Sequence, residues 1–194
     1  YTTLFRSYWT SDGKWNCTSS LTVYAHWTTN TYTVTFDKQN GSGGTDSVTA
    51  TYNSAMPSAT MPSRTNYSFA GYYTEKNGNG TQYYTAAGTS AKTWDKTSAT
   101  TLYAKWMQVT LNPNGGSFGS GVDTDSSGNT TASVVYGKDY WNNPTSRKPT
   151  RAGYTFQGFY TALSGGTQVW DANMKYVSGT YWTSGGTWQY TGSL

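Results

Sequence analysis

The chain has 194 residues, of which only 11% are charged, and its formal net charge is +4. No run of lysine or arginine could track a phosphate backbone, and no window approaches 18 consecutive apolar residues, so neither nucleic-acid binding nor membrane insertion is expected. Nine tryptophans and 18 tyrosines exceed what a disordered chain carries and therefore predict packed cores.

The first predicted strand is "LTVYAHW", residues 21–27. Its residues alternate between two faces, as in a strand with one buried side. The face expected to point inward carries Leu21, Val23, Ala25 and Trp27. The other face, with His26, is expected to point into water.

Residues 28–106 predict a longer series of strands. In "YTVTF", Tyr32, Val34 and Phe36 share one face. The stretch "YSFAGYYTEKNGNGTQYY" predicts two strands around a Gly/Asn turn. Around "TSAKTWDKT" we expect a short helix or helical turn, followed by the strand "TLYAKW" at residues 101–106.

The chain repeats itself. "WNCTSSLTVYAHW" aligns with "WDKTSATTLYAKW" at an offset of 79, and "YTVTFDKQNGSGG" aligns with "MQVTLNPNGGSFG" at an offset of 75. "PSRTNYSFAGYYT" aligns with "PTRAGYTFQGFYT" at an offset of 87, which places an insertion near residues 117–133. "YWTSDGKW" at the start recurs as "YWTSGGTW" near the end.

The repeat divides the chain into three units. Residues 1–27 form the C-terminal half of a repeat, and residues 28–106 form a complete repeat. Residues 107–194 form a repeat that carries the insertion and lacks its closing strand. We therefore predict a mainly β protein, α+β at most, built from tandem modules arranged end to end.

These motifs, in the order "VTFD…NGSGG", "P-x-R-x-x-Y-x-F-x-G-x-Y-T" and "LYAKW", resemble the Listeria–Bacteroides repeat, also called the internalin B-repeat. The second copy carries the fuller middle motif, since Asn66 replaces the glycine found at Gly153, but it has Leu111 and Asn112 where the family has Phe-Asp. The resemblance implies a small β-grasp-like module. It also implies tandem arrays in secreted or cell-wall-attached proteins, used as stalks or adhesive spacers, with no catalytic residues.

The motif residues have expected structural roles. Gly71 and Gly158 would relieve crowding or form bulges where aromatic side chains pack. The positions expected in the cores are Trp27, Trp106, Tyr67, Phe69, Tyr154 and Phe156.

Candidate chemistry is sparse. His26 is the one histidine of the sequence. Cys17 is the one cysteine, so an internal disulfide is excluded. A nucleophile pair would have to use these two residues, but their repeat positions indicate exposed surface. The carboxylates Asp37, Asp95 and Asp171 occupy repeat positions and are expected to cap turns.

The insertion contains "DTDSSGN", which imitates the opening of a calcium loop. Asp123, Asp125 and Ser127 are its candidate ligands. Val134 stands at the twelfth position, where a bidentate glutamate would be needed, so a complete helix-loop-helix site is excluded. A loose calcium site and a polar surface loop remain the alternatives.

The aromatic excess leaves two interpretations open. Trp9, Trp141 and Trp182 could stack on sugar rings, or they could pack within and between repeats. Sequons for N-glycosylation start at Asn16, Asn40, Asn66, Asn79 and Asn129.

We expect a non-enzymatic extracellular protein, secreted or attached to the cell surface, without a cofactor. It would act as a stalk, adhesin or filament segment whose partners are neighbouring repeats or copies of itself. Assembly by strand pairing between chains would use an unpaired sheet edge. The alternative is a carbohydrate-binding module, and surface glycans or a host protein are further possible partners.

Overall fold

A computed structural model describes residues 8–132, 134–138 and 145–192. Within these ranges the chain is mainly β, with 3₁₀ turns at Lys76–Gly78 and Thr145–Arg147. The described strands are β1 (Thr31–Asp37), β2 (Ser47–Thr51), β3 (Ser68–Tyr73), β4 (Gln82–Tyr84), β5 (Thr100–Met107), β6 (Val109–Leu111), β7 (Thr130–Ala132), β8 (Gly158–Tyr160) and β9 (Gln168–Asp171). The prediction of a mainly β chain built from tandem modules is confirmed.

The first module is one five-stranded sheet in the order β2-β1-β5-β3-β4. β5 lies at its centre, parallel to β1 and antiparallel to β3. The predicted alternation of faces is present, because Val34 and Phe36 of β1 are buried with Leu102 and Ala104 of β5. β5 therefore joins the two halves of the sheet as a central strand, parallel to one neighbour and antiparallel to the other.

The helical turn expected around "TSAKTWDKT" is absent, and that prediction is wrong. These residues form isolated bridges, Tyr84 with Ser90 and Ala55 with Thr93. The amide of Trp94 donates to the Ser54 carbonyl oxygen at 2.8 Å. Trp94 is fully buried, so packing of its indole outweighs a weak local preference for helix.

The second module contains two smaller sheets, β6-β7 and β8-β9. Both pack on one core, which includes Val109, Leu111, Phe159, Trp170 and Trp188. By the repeat alignment, β6 corresponds to β1 and β8 to β3. Within the described part of residues 108–192, no strand joins β6 to β8 in the way that β5 joins β1 to β3.

The N-terminal unit does not form the packed strand that the sequence predicts. Residues 21–27 lie outside any strand, and the side chain of Trp27 is 90% exposed. Its counterpart Trp106 is half-buried, donates from Nε1 to the Lys38 carbonyl oxygen at 2.9 Å and packs against Phe69. The inward role predicted for Trp27 is wrong here because no strand among residues 8–30 flanks its segment.

Gly71 lies at an irregularity of β3, and Gly158 lies one residue before an irregularity of β8 between Phe159 and Tyr160, both next to the aromatic core. The register of β3 against β5 shifts between Phe69 and Gly71, and the φ angles of the two glycines are 130° and 128°. A Cβ on Gly71 would lie 2.5 Å from the Tyr84 carbonyl oxygen, and one on Gly158 would lie 2.2 Å from that of Trp170. Only glycine fits these positions without displacing the neighbouring strand.

Gly71→Ala is therefore expected to lower the free energy of unfolding by about 1–3 kcal/mol from crowding, in addition to the strain of a positive φ. Urea denaturation followed by tryptophan fluorescence measures the change. Gly153→Ala is the matched control, since Gly153 also has a positive φ but has open space around its Cβ position. An equal loss for both variants would contradict the role of crowding at Gly71.

Candidate functional site

The junction between the two modules is packed. Gln108 alone separates the last residue of β5, Met107, from the first residue of β6, Val109. Met107 belongs to the first module's central strand, but its side chain is 1% exposed and lies in the core of the second module. The central strand of one module thus continues directly into the core of the next.

β3 supplies a second contact across the junction. Its Ser68 Oγ accepts a hydrogen bond from the Tyr136 amide at 2.7 Å, and Ala70 packs in the second module's core. Phe69, between them, faces the first module's core. Because alternate residues of a strand point to opposite faces, β3 is buried on both sides by two different modules.

The sequence analysis did not identify this contact. Its signal was the small size of Ser68 and Ala70, which lets the second module approach closely. The corresponding residues of the second module, Thr155 and Gln157, are exposed.

Beside the junction lies a cleft of about 520 Å³. It is bordered by Met61 and Phe69 on one side and by Val135 and Lys138 on the other.

Of the three tryptophans considered as a sugar platform, Trp9 and Trp182 differ in exposure and therefore do not share one exposed surface. Trp182 is 1% exposed and packs 5.8 Å from Trp170 between ring centroids, so its assignment as a ligand-binding residue is wrong. Trp182 also packs edge-on against Trp188, with 4.9 Å between ring centroids. Its counterpart Trp9 is 57% exposed and forms the equivalent edge-on pair with Trp15 at 5.3 Å. The hairpin therefore has the same local geometry in both units but is covered only where a module core lies beneath it. Trp141 lies outside the described residues.

The motif arginines and tyrosines form surface turns. The Arg64 guanidinium lies 3.8 Å from the centre of the Tyr67 ring, and that of Arg151 lies 4.0 Å from the Tyr154 ring. Tyr154 is 67% exposed, so its assignment to the core is wrong. The "R-x-x-Y" spacing supports a cation–π contact across a turn. Of the phenylalanines that were also expected in the cores, Phe69 is buried and Phe156 is half-buried.

The two residues considered as a nucleophile pair, Cys17 and His26, have different surroundings. His26 is exposed, and the half-buried Cys17 thiol donates to the Ser19 carbonyl oxygen at 3.2 Å. In the same ranges, no three histidine, cysteine, aspartate or glutamate side chains come together as a metal site would require.

Two of the three repeat-position aspartates cap turns. Asp37 Oδ1 accepts the Gln39 amide at 2.9 Å, and this bond lowers the pKa of Asp37. Asp171 Oδ1 accepts a hydrogen bond from the Asn173 amide at 2.9 Å.

Asp95 differs from the expectation that it caps a turn. Its carboxylate accepts hydrogen bonds from Lys92 Nζ at 2.5 Å and from the hydroxyl of Tyr83. The hydrogen bond from Lys92, followed by the one from Tyr83, lowers the pKa of Asp95.

The segment considered as a calcium loop forms a turn that is capped by Asp125. Asp125 Oδ1 accepts the amides of Ser127 at 2.8 Å and Asn129 at 2.9 Å, and Oδ2 accepts Asn129 Nδ2 at 3.0 Å. The hydrogen bond from the Asn129 side chain is the main cause of the lowered pKa of Asp125. These bonds account for the position of the Asp125 carboxylate without a bound ion. A calcium role for Asp123, Asp125 and Ser127 stays a prediction.

The sequon asparagines lie mainly on exposed turns. Asn16, Asn40, Asn66 and Asn79 are exposed, while Asn129 is half-buried against Asp125. Asn40 and Asn66 have φ angles of 65° and 63°, a conformation that asparagine tolerates better than most residues. Turn geometry therefore accounts for these two asparagines, and their glycosylation stays a prediction.

The comparison with known families matches two stretches of the chain, residues 32–105 and 108–183, to the Listeria-Bacteroides repeat domain. A putative Gly-rich membrane protein of Evansella cellulosilytica is 32% identical over 150 residues, covering 73% of this chain and 14% of that protein. Internalin H of Listeria monocytogenes is 36% identical over 145 residues, covering 74% of this chain and 22% of that protein.

A putative membrane protein, also of Evansella cellulosilytica, is 27% identical over 170 residues, which are 83% of this chain and 22% of that protein. The chain thus spans less than a quarter of the length of each of these relatives. No solved structure matches. In the part of the chain that the structure describes, no helix has the length and apolar character needed to cross a membrane.

Proposed function

Since the chain belongs to the Listeria–Bacteroides repeat family, which is found in surface proteins such as internalin, we propose that it is a non-enzymatic spacer of an extracellular, cell-surface protein. Its task is to hold other parts of that protein at a fixed distance and orientation. In this role, each module acts through its shape and its resistance to extension. The filament segment predicted from the sequence is the assembling form of the same function.

The observation that carries the proposal is the packed junction. A flexible linker would hold two modules at a variable separation, but here one residue separates β5 from β6. Met107 and Ala70 bury their side chains in the following module, so bending at Gln108 would expose apolar surface to water. The parallel pairing of β1 with β5 also ties the module's first strand to its last one, so that pulling on both ends loads the sheet hydrogen bonds together.

Surface display tests the spacer role. The chain is placed in one, two or three copies between a cell-wall anchor and a terminal epitope, and antibody access to the epitope is measured beneath a surface polymer of known thickness. We expect access to rise stepwise with copy number. A Gly/Ser linker with the same number of residues is the control, and equal access for both at every copy number would contradict a spacer function.

One observation favours carbohydrate binding as a second candidate. Tyr8, Trp9 and Trp15 are all exposed, and the rings of Tyr8 and Trp15 stack with 6.0 Å between centroids. A flat exposed pair of this kind suits the apolar face of a sugar ring. Glycan-array binding that Trp15→Ala abolishes would support this candidate, while a silent array would remove it and leave the spacer role unaffected.

A further inference from the structure

The two edges of the first module's sheet differ in how they are covered. At the β4 edge, Tyr84 forms a bridge with Ser90, and the Ala91 amide donates to the Tyr83 carbonyl oxygen at 2.9 Å. At the β2 edge, no described strand or bridge pairs with residues 47–51 on the side away from β1. The described residues thus cover the β4 edge of this complete module and leave the β2 edge open.

The hydrogen-bond pattern identifies which main-chain groups of β2 are open. The Phe36 amide donates to the Asp46 carbonyl oxygen at 2.8 Å, and the Tyr52 amide donates to that of Asn30 at 3.0 Å. Since only every second residue of an antiparallel strand bonds to a given neighbour, the even-numbered residues of β2 face β1. The main-chain groups that point away from β1 are those of Ser47, Thr49 and Thr51.

The open stretch has defined ends. Before it, the Thr45 amide already donates to the Thr60 carbonyl oxygen at 2.9 Å. After it, the chain turns away at Asn53, whose φ angle is 62°. Residues 46–52 remain between these ends, and Thr49 is their middle residue.

We propose that this edge binds the same edge of a second copy of the chain, as an antiparallel pair of β2 strands related by a twofold axis at Thr49. The pairing goes beyond the spacer role, because it gives the chain a contact with its own kind. Natural sheets protect an open edge with a charge, a proline or a bulge. The β2 sequence "SVTAT" contains no charge and no proline, and its register against β1 runs through five pairs without a shift.

The symmetry of the sequence around Thr49 is the reason why a second copy fits as the partner. In the twofold register the opposed residues are Thr49 with Thr49, Ser47 with Thr51, and Val48 with Ala50. Hydroxyl side chains therefore meet on one face and apolar side chains on the other, and Thr–Thr pairs across antiparallel strands are favourable. Asp46, the one charged residue of the open stretch, lies opposite Tyr52, so no like charges meet.

The symmetry also fixes the relative direction of the two copies. Pairing of two edges into one sheet places the twofold axis perpendicular to that sheet, and rotation about it reverses the direction of every strand. β5, which leads through Gln108 into the second module, therefore points in opposite directions in the two copies. Because a twofold contact is closed, the product is a dimer that joins chains arriving from opposite sides, as contact between two facing surfaces requires.

End-to-end packing of modules is compatible with this dimer. The junction uses Met107, Ser68 and Ala70 of the first module and the Tyr136 amide of the second, and none of these contacts involves β2. Five residues a side are fewer than in a standard interface, so we expect a weak association. Many copies on one surface would strengthen it by multivalency.

Sedimentation equilibrium tests the proposal, with every chain carrying Cys17→Ser so that no disulfide contributes. We expect the Cys17→Ser chain to show a monomer–dimer equilibrium at concentrations up to about 1 mM. Thr49→Pro should abolish the dimer, because it removes the central amide and places a ring against the partner strand. An edge strand tolerates proline where its amide faces solvent, and circular dichroism checks that this variant is folded.

Two charge variants test the register without a change to the main chain. Thr49→Lys alone and Thr49→Asp alone should each weaken the dimer about fivefold, because like charges meet at the axis, and an equal mixture should restore it. Thr33→Lys is the matched control and should retain the dimer. Thr33 is exposed on the same face and pairs with Thr49 in the sheet, but it lies one strand away from the interface.

Four results would overturn the proposed dimer. They are a Cys17→Ser chain that stays monomeric up to about 1 mM, a folded Thr49→Pro variant that still dimerises, a Thr49→Lys variant that is weakened no more than Thr33→Lys, and a mixture that associates no better than either charge variant alone. A monomer would leave the spacer function standing, since that function depends on the junction at Met107.

Discussion

Replacing Trp94 with alanine is expected to lower the free energy of unfolding by about 3–5 kcal/mol, enough to unfold the first module of a marginally stable chain. Trp94 is fully buried, its ring centroid lies 5.0 Å from that of Tyr83, and its main chain binds Asn53 and Ser54. The substitution leaves a cavity in a core that cannot easily collapse. Thermal unfolding followed by circular dichroism measures the loss.

The repeat supplies a matched control for this substitution. Trp15 occupies the same repeat position as Trp94 but is 49% exposed, so Trp15→Ala should change the stability by no more than about 0.5 kcal/mol. A similar loss in the two variants would show that residues 8–27 are packed into a module in solution, contrary to the structure.

Met107→Ala is the second substitution with a large expected effect. Met107 is 1% exposed and connects the first module's sheet to the second module's core. Its truncation should cost about 2–5 kcal/mol and separate a single calorimetric transition into two. The cause is the loss of shared apolar surface at the junction.

Met56→Ala is the control for the coupling, since Met56 is buried within the first module's own core. This variant should lower the stability while leaving the two modules coupled. If Met107→Ala unfolds in one transition as sharp as that of wild type, the modules are coupled by something other than this contact.

The sequence predicted the parts of the fold that depend on local pattern. Alternation placed Val34, Phe36, Leu102 and Ala104 on the inward face. Repeat position and the aromatic neighbourhood identified Gly71 as a place of crowding. These features follow from the period of a strand and from the sterics of a bulge, which neighbouring residues determine.

The wrong predictions of burial share a physical cause, which is that burial depends on the rest of the module. Trp9 and Trp182 have the same local hairpin, but only Trp182 has a core beneath it. Trp27 and Trp106 end nearly identical segments, but only Trp106 lies in a sheet. Tyr154 and Tyr67 make the same contact with an arginine, but Tyr67 is half-buried while Tyr154 is exposed. A repeat identifies equivalent positions, while burial also requires the partner strands.

The junction could not be predicted because it depends on how two modules meet. The small size of Ser68 and Ala70 is not a sufficient signal by itself, since small residues also occur on exposed strand faces. Their burial became visible only with the Tyr136 amide and the second module's core in place.

The distance distribution between the two modules tests the central claim, a rigid junction, most directly. In a Cys17→Ser background, spin labels replace the exposed residues Lys76 and Lys175, and pulsed electron paramagnetic resonance measures their separation. Labels at Thr33 and Lys76, both within the first module, give the reference width. The rigid junction predicts a single distribution as narrow as the reference, and Met107→Ala should broaden it. A broad or multimodal distribution in the otherwise unaltered chain would contradict the rigid spacer.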